Sequence, residues 1–212
     1  MKKFLILSLI TFIPFFIFNQ EEPISEETHY YLKEWINEDG LKEACLLEGD
    51  SIPPESIPEG FVKVSLEELH QKGYLTAEEW LEVLKAIPET VYIDPTRWAF
   101  SYVDCWYDTQ VRYAKFVAIS NTVSYNINEK IRVYAVLRKY VDGVLRSERS
   151  GSHTRVVKSG NYRASVSWVG FRSVGNILRV TLNGWHWWKW RQPDTICDAR
   201  TYDEDWCNIQ QP

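Results

Sequence analysis

The sequence predicts an α+β protein: a short acidic helical N-terminal segment followed by an antiparallel, immunoglobulin-like β-sandwich. Three observations carry this expectation. The first is charge. The formal net charge of -5 over 212 residues conceals blocks of opposite sign. Residues 21–90 hold 18 acidic and 5 basic residues, residues 91–192 hold 16 basic and 6 acidic, and residues 193–212 hold five acidic residues beside Arg200. A reversal of this kind marks a boundary between units. The second is a cluster of helix-start signals before residue 90, and the third is a change to a period of two after it. The proportions of 45% hydrophobic and 25% charged residues exclude a collagen-like or wholly disordered chain.

The N-terminus reads as an address. Met1-Lys2-Lys3 precedes an apolar run from Phe4 to Phe18, broken only by Ser8, Thr11 and Pro14, which is the form of a secretory signal. As a helix the run spans about 22 Å, short of a hydrocarbon core of roughly 30 Å. No small-x-small cleavage site follows Phe18 and no cysteine precedes Cys45. Residues 1–20 are therefore either a signal peptide or an uncleaved signal anchor. The expected location is secreted, or anchored on the outer face of the membrane.

Cys45, Cys105, Cys197 and Cys207 are an even number without a CxxC pair, so two disulfides are expected. Cys197 and Cys207 bracket a short acidic loop and are the favoured pair, which leaves Cys45 with Cys105; residues 193–212 then form a disulfide-looped tail. No His stands at ligand spacing from a Cys, so neither a metal nor a cofactor is expected.

Within residues 21–90, Ser65 with Glu68 and Thr76 with Glu79 have capping-box spacing. Trp80, Val83, Leu84 and Ile87 form one apolar helix face. Gly73 and Pro88 end the two helices of a hairpin over residues 65–87. A third helix is expected near Ser25, with Leu32, Trp35 and Ile36 on one side. Residues 48–60, with Pro53-Pro54 and Pro58, read as a linker.

From residue 91 the alternation is clear. Ile131, Val133, Ala135 and Leu137 alternate with Arg132, Tyr134, Val136 and Arg138, and Tyr162, Ala164, Val166 and Trp168 alternate with Arg163, Ser165 and Ser167. Further strands are expected at 98–107, 111–119, 144–149, 153–158 and 176–182. Asp142-Gly143 and Asn183-Gly184 are the hairpin-turn signals. Short strands at this spacing make residues 91–192 a basic β-sandwich.

Two resemblances accompany this reading. Leu66-Glu67-Glu68-Leu69 and the run Gly73-Tyr74-Leu75-Thr76-Ala77-Glu78-Glu79-Trp80 resemble the short helical hairpins called SHOCT domains. Ile131 to Lys139, Asp142-Gly143 and Ser159-Gly160-Asn161-Tyr162-Arg163-Ala164 resemble small exported β-sandwich modules of Gram-positive bacteria. The second resemblance implies an exported sandwich and supplies no catalytic residues.

The sharpest candidate site is the Trp cluster. With Asn183-Gly184 as a two-residue turn, Trp185 and Trp187 share a core face with Leu178, Val180 and Leu182. Trp188 and Trp190 then share the opposite face with Arg179 and His186, as a flat surface for sugar rings or for a lipid headgroup layer. The alternatives are an Arg179–Trp188 cation–π pair and packing of this face under the helical segment. Arg132, Arg138, Arg146, Arg149, Arg155, Arg163 and Arg172 suit an anionic polymer, docking of the acidic segment, or a solvated face.

Nucleic acid is not an expected partner of an exported chain with this charge. Asp104, Asp108 and Glu129 are the carboxylates available for a glycosidase pair. The sequence favours an exported, non-enzymatic binding or adhesion module for a cell-surface glycan or anionic envelope polymer. The alternatives are a membrane-active toxin or bacteriocin-like factor, with a membrane surface as partner, and a secreted glycan hydrolase.

Overall fold

Period-two sequence becomes paired strand through most of the computed structural model, which describes residues 29–49, 57–74, 79, 90–158 and 162–210. In chain order the elements are β1 (His29–Ile36), β2 (Lys42–Gly49), β3 (Val62–Val64), α1 (Leu66–Gln71), β4 (Thr90–Asp94) and β5 (Arg97–Asp108). They continue with β6 (Tyr113–Ser124), β7 (Lys130–Val141), β8 (Val144–Val156), β9 (Arg163–Arg172), β10 (Ile177–Trp187) and β11 (Ala199–Asn208). All pairings are antiparallel. One sheet has the order β3-β1-β2-β9-β6-β5-β4 and the other β11-β10-β7-β8.

The expected N-terminal helix is replaced by strand. Leu32, Trp35 and Ile36 lie on β1, which pairs with β2 from His29–Gly49 to Ile36–Lys42. Tyr31 packs between the sheets while Leu32 packs on the opposite face under α1. A strand buried on both faces loses its alternation, and the i, i+3, i+4 spacing then imitates a helix. β2 pairs in turn with β9, so the acidic block supplies strands to the same sheet as the basic block. The Ser65–Glu68 capping box is present and starts α1, whose Leu69 is fully buried. Residues 1–28, the linker residues 50–56, and Thr76 with the apolar face Trp80, Val83, Leu84 and Ile87 lie outside the described residues.

The core between the sheets is built from Phe116, Ile131, Leu137, Trp168, Leu178 and Leu182, among others. A second apolar layer on the far side of the larger sheet, with Leu46, Phe100, Val117 and Ile119, is covered by Leu69 and Tyr74. Asp142 and Gly143, at φ 51° and 80°, make the tight turn between β7 and β8. β8 runs without interruption through the two shorter strands expected at 144–149 and 153–158.

Asn183-Gly184 is not a turn. Both residues lie inside β10, where Gly184 pairs with Ala135 on one side and Thr201 on the other. Side chains alternate along an uninterrupted strand, so Leu178, Val180, Leu182 and His186 face the core while Trp185 and Trp187 face outward. The tail pairs with β10 as β11.

The cysteine pairing also differs. Cys105 on β5 is bonded to Cys207 on β11, with Cα atoms 5.6 Å apart, and joins the two sheets. Cys45 is a buried thiol and Cys197 a partly exposed one. Cys45 and Cys105 are on strands separated by β9 and β6, about 14 Å apart at the usual strand spacing. Cys207 sits opposite Leu178, whereas Asp198, next to Cys197, bonds to His186. Those points are about 27 Å apart along a strand.

Candidate functional site

The continuous β10 redistributes the expected site. Trp188 is 7% exposed; its indole N–H donates to the Val123 carbonyl at 2.7 Å and its backbone N–H to Asp198 at 2.7 Å. It fastens the small sheet to the large one and offers no face to a ligand. His186 is fully buried between Thr122 and Thr201, and burial pushes its pKa down to about 3. Arg179 is exposed further along the strand, pairs with Glu204 and lies over Tyr140 rather than Trp188. Of the four residues expected to share a platform, Trp190 alone lies among the outward-facing aromatics.

The outer face of the small sheet assembles a different group. Arg132 on β7 and Trp187 on β10 are directly paired on the outer side of the small sheet, where Trp187, itself 7% exposed, backs the guanidinium and does not present a free face. The Arg132 guanidinium lies 5.2 Å from the Trp187 ring and 4.9 Å from the Trp190 ring, and its Nε donates to Ser152 Oγ at 3.2 Å. Lys130 Nζ lies 4.6 Å from the same Trp190 ring. One register step along, Tyr134 meets Trp185 with ring centroids 5.5 Å apart. Burial lowers the Arg132 pKa from its ordinary value, so the cation is held partly dry by two indoles, where an anion is attracted more strongly than in water.

Beside this group is an open depression of about 360 Å³, lined by Trp185, Ile196, Cys197, Asp198 and Arg200. The Trp187 indole N–H donates to the Ile196 carbonyl at 2.8 Å and fixes the loop that walls it. Arg200 is directly across from Trp185 on β11 and is exposed.

Several of the other cations are committed inside the fold. Arg163 pairs with Glu48 at 2.9 Å, Arg172 with Asp39 at 3.2 Å and with Glu38, and the buried Lys139 with the buried Glu43. Arg138 pairs with Glu148, Arg155 donates to the Arg163 carbonyl at 2.8 Å, and Arg149 lies over Trp35. Acidic residues of β2 and of the β1–β2 turn thus meet basic residues of the later strands, and the charge blocks neutralise one another across one sandwich.

The three carboxylates expected for hydrolysis have separate tasks. Burial pushes Glu129 up, but hydrogen bonds from Arg97 and Ser124 outweigh it and hold the carboxyl below its usual range. Asp108 accepts from the N–H of Gln110 at 2.9 Å and closes the β5–β6 turn. Burial, and then the adjacent Asp205, raise Asp104.

Compared with family models, curated proteins and solved structures, the chain matches none. The sequence places Arg132 on the basic face but does not show its pairing with Trp187, because the assumed turn points Trp187 inward.

Proposed function

We propose that the protein is a binding module for an anionic envelope polymer or acidic cell-surface glycan, acting outside the cell. The reading rests on one observation: Arg132 held between Trp187 and Trp190, with Lys130 on the same indole. Aromatic walls fix the guanidinium in place, and a fixed cation binds carboxylate or phosphate without the entropy loss of ordering a free side chain. The depression past Trp185 and Arg200 extends the surface enough for a chain rather than a single ion. Glu129 and Asp108 are committed to structural contacts, which favours binding over hydrolysis at those two carboxylates.

Titration with polygalacturonate and with lipoteichoic acid, followed by tryptophan fluorescence, tests this. Wild type is expected to bind at low ionic strength and to weaken with salt. A Lys130→Gln/Arg132→Gln variant with unchanged melting temperature is expected to lose about tenfold or more in affinity. Equal binding by that variant, or preference for anionic liposomes with leakage, overturns the reading.

A further inference from the structure

A second surface lies at the end of the large sheet, and it is built of rings instead of cations. The Asp94-Pro95-Thr96-Arg97 turn sets Tyr92 on β4 directly opposite Trp98 on β5. Their rings are 6.3 Å apart with planes only 11° apart. Trp98 continues to Tyr125, just past β6, at 6.2 Å and 31°, and Tyr125 to Tyr162, just before β9, at 5.2 Å and 32°. None of the three angles approaches the edge-to-face arrangement that packed aromatic clusters commonly adopt. A near-parallel pair with centroids 6.3 Å apart is an offset stack with little overlap, which leaves much of each ring face uncovered by the other. Tyr92 is 70% exposed and Tyr125 55% exposed. The row therefore has two exposed rings, Tyr92 and Tyr125, with Trp98 partly buried between them and Tyr162 packed against the inter-sheet core at its end.

The charges along the strip are already paired. Arg97 donates to Glu129 at 3.0 Å and pairs with Asp94 at 2.9 Å, and Arg163, in register with Val123 beside Trp98, pairs with Glu48. Among the described residues the strip therefore offers ring faces and phenol hydroxyls, and the charges beside it are paired with one another. A matching partner is uncharged, has flat C–H faces spaced along a chain, and carries hydroxyls at its edges.

We propose that Tyr92, Trp98, Tyr125 and Tyr162 form a binding strip for a neutral polysaccharide, whose pyranose rings lie on successive aromatic faces. This goes beyond the anionic site and does not depend on it. Burial of each sugar face against a ring supplies the affinity, and the pairing of the charges beside the strip makes binding insensitive to salt. The length of the row favours a chain of several sugars over a monosaccharide.

The test is titration of the full-length protein with hydroxyethylcellulose, galactomannan and xylan, read by tryptophan fluorescence at low and high salt. At least one polysaccharide is expected to bind equally well at both salt concentrations. A Tyr92→Ala/Tyr125→Ala variant is expected to lose about tenfold or more in affinity while keeping its melting temperature and its response to polygalacturonate. If the double variant melts early, Tyr92→Ser alone, at the most exposed ring, is expected to show a smaller loss. The proposal is overturned if none of the three binds, if the variants bind like wild type, or if light scattering shows a dimer that the double variant abolishes. Loss in Lys130→Gln/Arg132→Gln but not in the Tyr variants also overturns it and leaves the anionic site standing.

Discussion

The Asp205 carboxylate on β11 accepts a hydrogen bond from the backbone N–H of Cys105 on β5, at 2.8 Å. Two residues earlier, Asp203 accepts from the N–H of Val103 at 2.7 Å, and two before that Thr201 Oγ1 meets Ser101 Oγ at 2.6 Å. Two residues later Cys207 is bonded to Cys105 itself. Among the described residues β4 pairs with β5 only from Arg97 to Phe100, and beyond that point the N–H groups of Val103 and Cys105 are taken by side chains of β11. Side chains on alternate positions of β11 take the place of β4 there and close the edge against pairing with another chain.

This arrangement makes β11 the main lock of the sandwich. Asp205→Ala leaves the Cys105 N–H without its acceptor and is expected to cost about 1–3 kcal/mol. Cys207→Ser opens a loop closed across 102 residues and is expected to cost about 2–5 kcal/mol. Urea denaturation of the two single variants and the double variant measures both terms. Additive losses would show that carboxylate and disulfide act independently, contrary to their shared attachment at Cys105.

The later strands were legible because their alternation is one-sided: Ile131, Val133, Ala135 and Leu137 all face the core. β1 was not, because Tyr31 and Leu32 are buried on opposite faces and neighbouring apolar residues carry no period of two. The Asn183-Gly184 pair has turn chemistry, yet Gly184 serves a close approach inside a strand, where it meets Ser120 of β6, Thr201 of β11 and His186 of its own strand. The misread turn then reversed the facing of Trp185 and Trp187 and extended the supposed platform to Trp188. The ladder from Tyr92 to Tyr162 draws on separate strands and needed the register of the large sheet. Only Tyr92 and Trp98, flanking a Pro95 turn, could be paired from sequence.

Acid should unfold this protein well before its carboxylates are fully titrated. Burial pushes both His153 and His186 down to about 3 from an ordinary 6.5. Between pH 6.5 and 3 the unfolded chain binds two protons that the folded chain refuses, so stability falls as pH falls through that window. The slope is about 1.4 kcal/mol per pH unit for each histidine. Denaturation midpoints at pH 7, 5.5 and 4.5 are expected to drop steadily, and His153→Gln should remove about half of the slope. A flat profile above pH 5 would contradict the burial of both rings.

The Glu43–Lys139 pair joins the two sheets in the interior, with side chains 1% and 5% exposed. Glu43 also accepts from the Trp35 indole at 3.0 Å and the Asn37 amide at 2.9 Å. Removing one partner strands the other charge, so Lys139→Met is expected to destabilise by about 3–5 kcal/mol. Glu43→Gln/Lys139→Met together should recover much of that loss, since no buried charge remains. Thermal melting of the single and double variants measures both effects.

Gly184 sets the position of the inter-sheet polar chain. Thr122 donates to the Arg132 carbonyl at 2.9 Å, so its oxygen must accept from His186 Nδ1–H at 2.8 Å. Nε2 then accepts from Thr201 at 2.7 Å, Thr201 from Ser101, and Ser101 from Ser120 at 3.2 Å. Each hydroxyl donates once and the imidazole stays neutral, in agreement with its lowered pKa. A Cβ on residue 184 would lie 2.6 Å from His186 Nε2, Ser120 Oγ and Thr201 Oγ1 at once. None of these atoms can withdraw without breaking a bond in the chain. Gly184→Ala is therefore expected to cost at least the roughly 1–3 kcal/mol of an overpacked core, plus a further 1–3 kcal/mol for a stranded polar group. The His186 ring is the reporter: in Gly184→Ala its NMR titration midpoint should rise from about 3 toward the ordinary value as water reaches Nε2. An unchanged midpoint with unchanged stability would mean that the strands part without disturbing the chain.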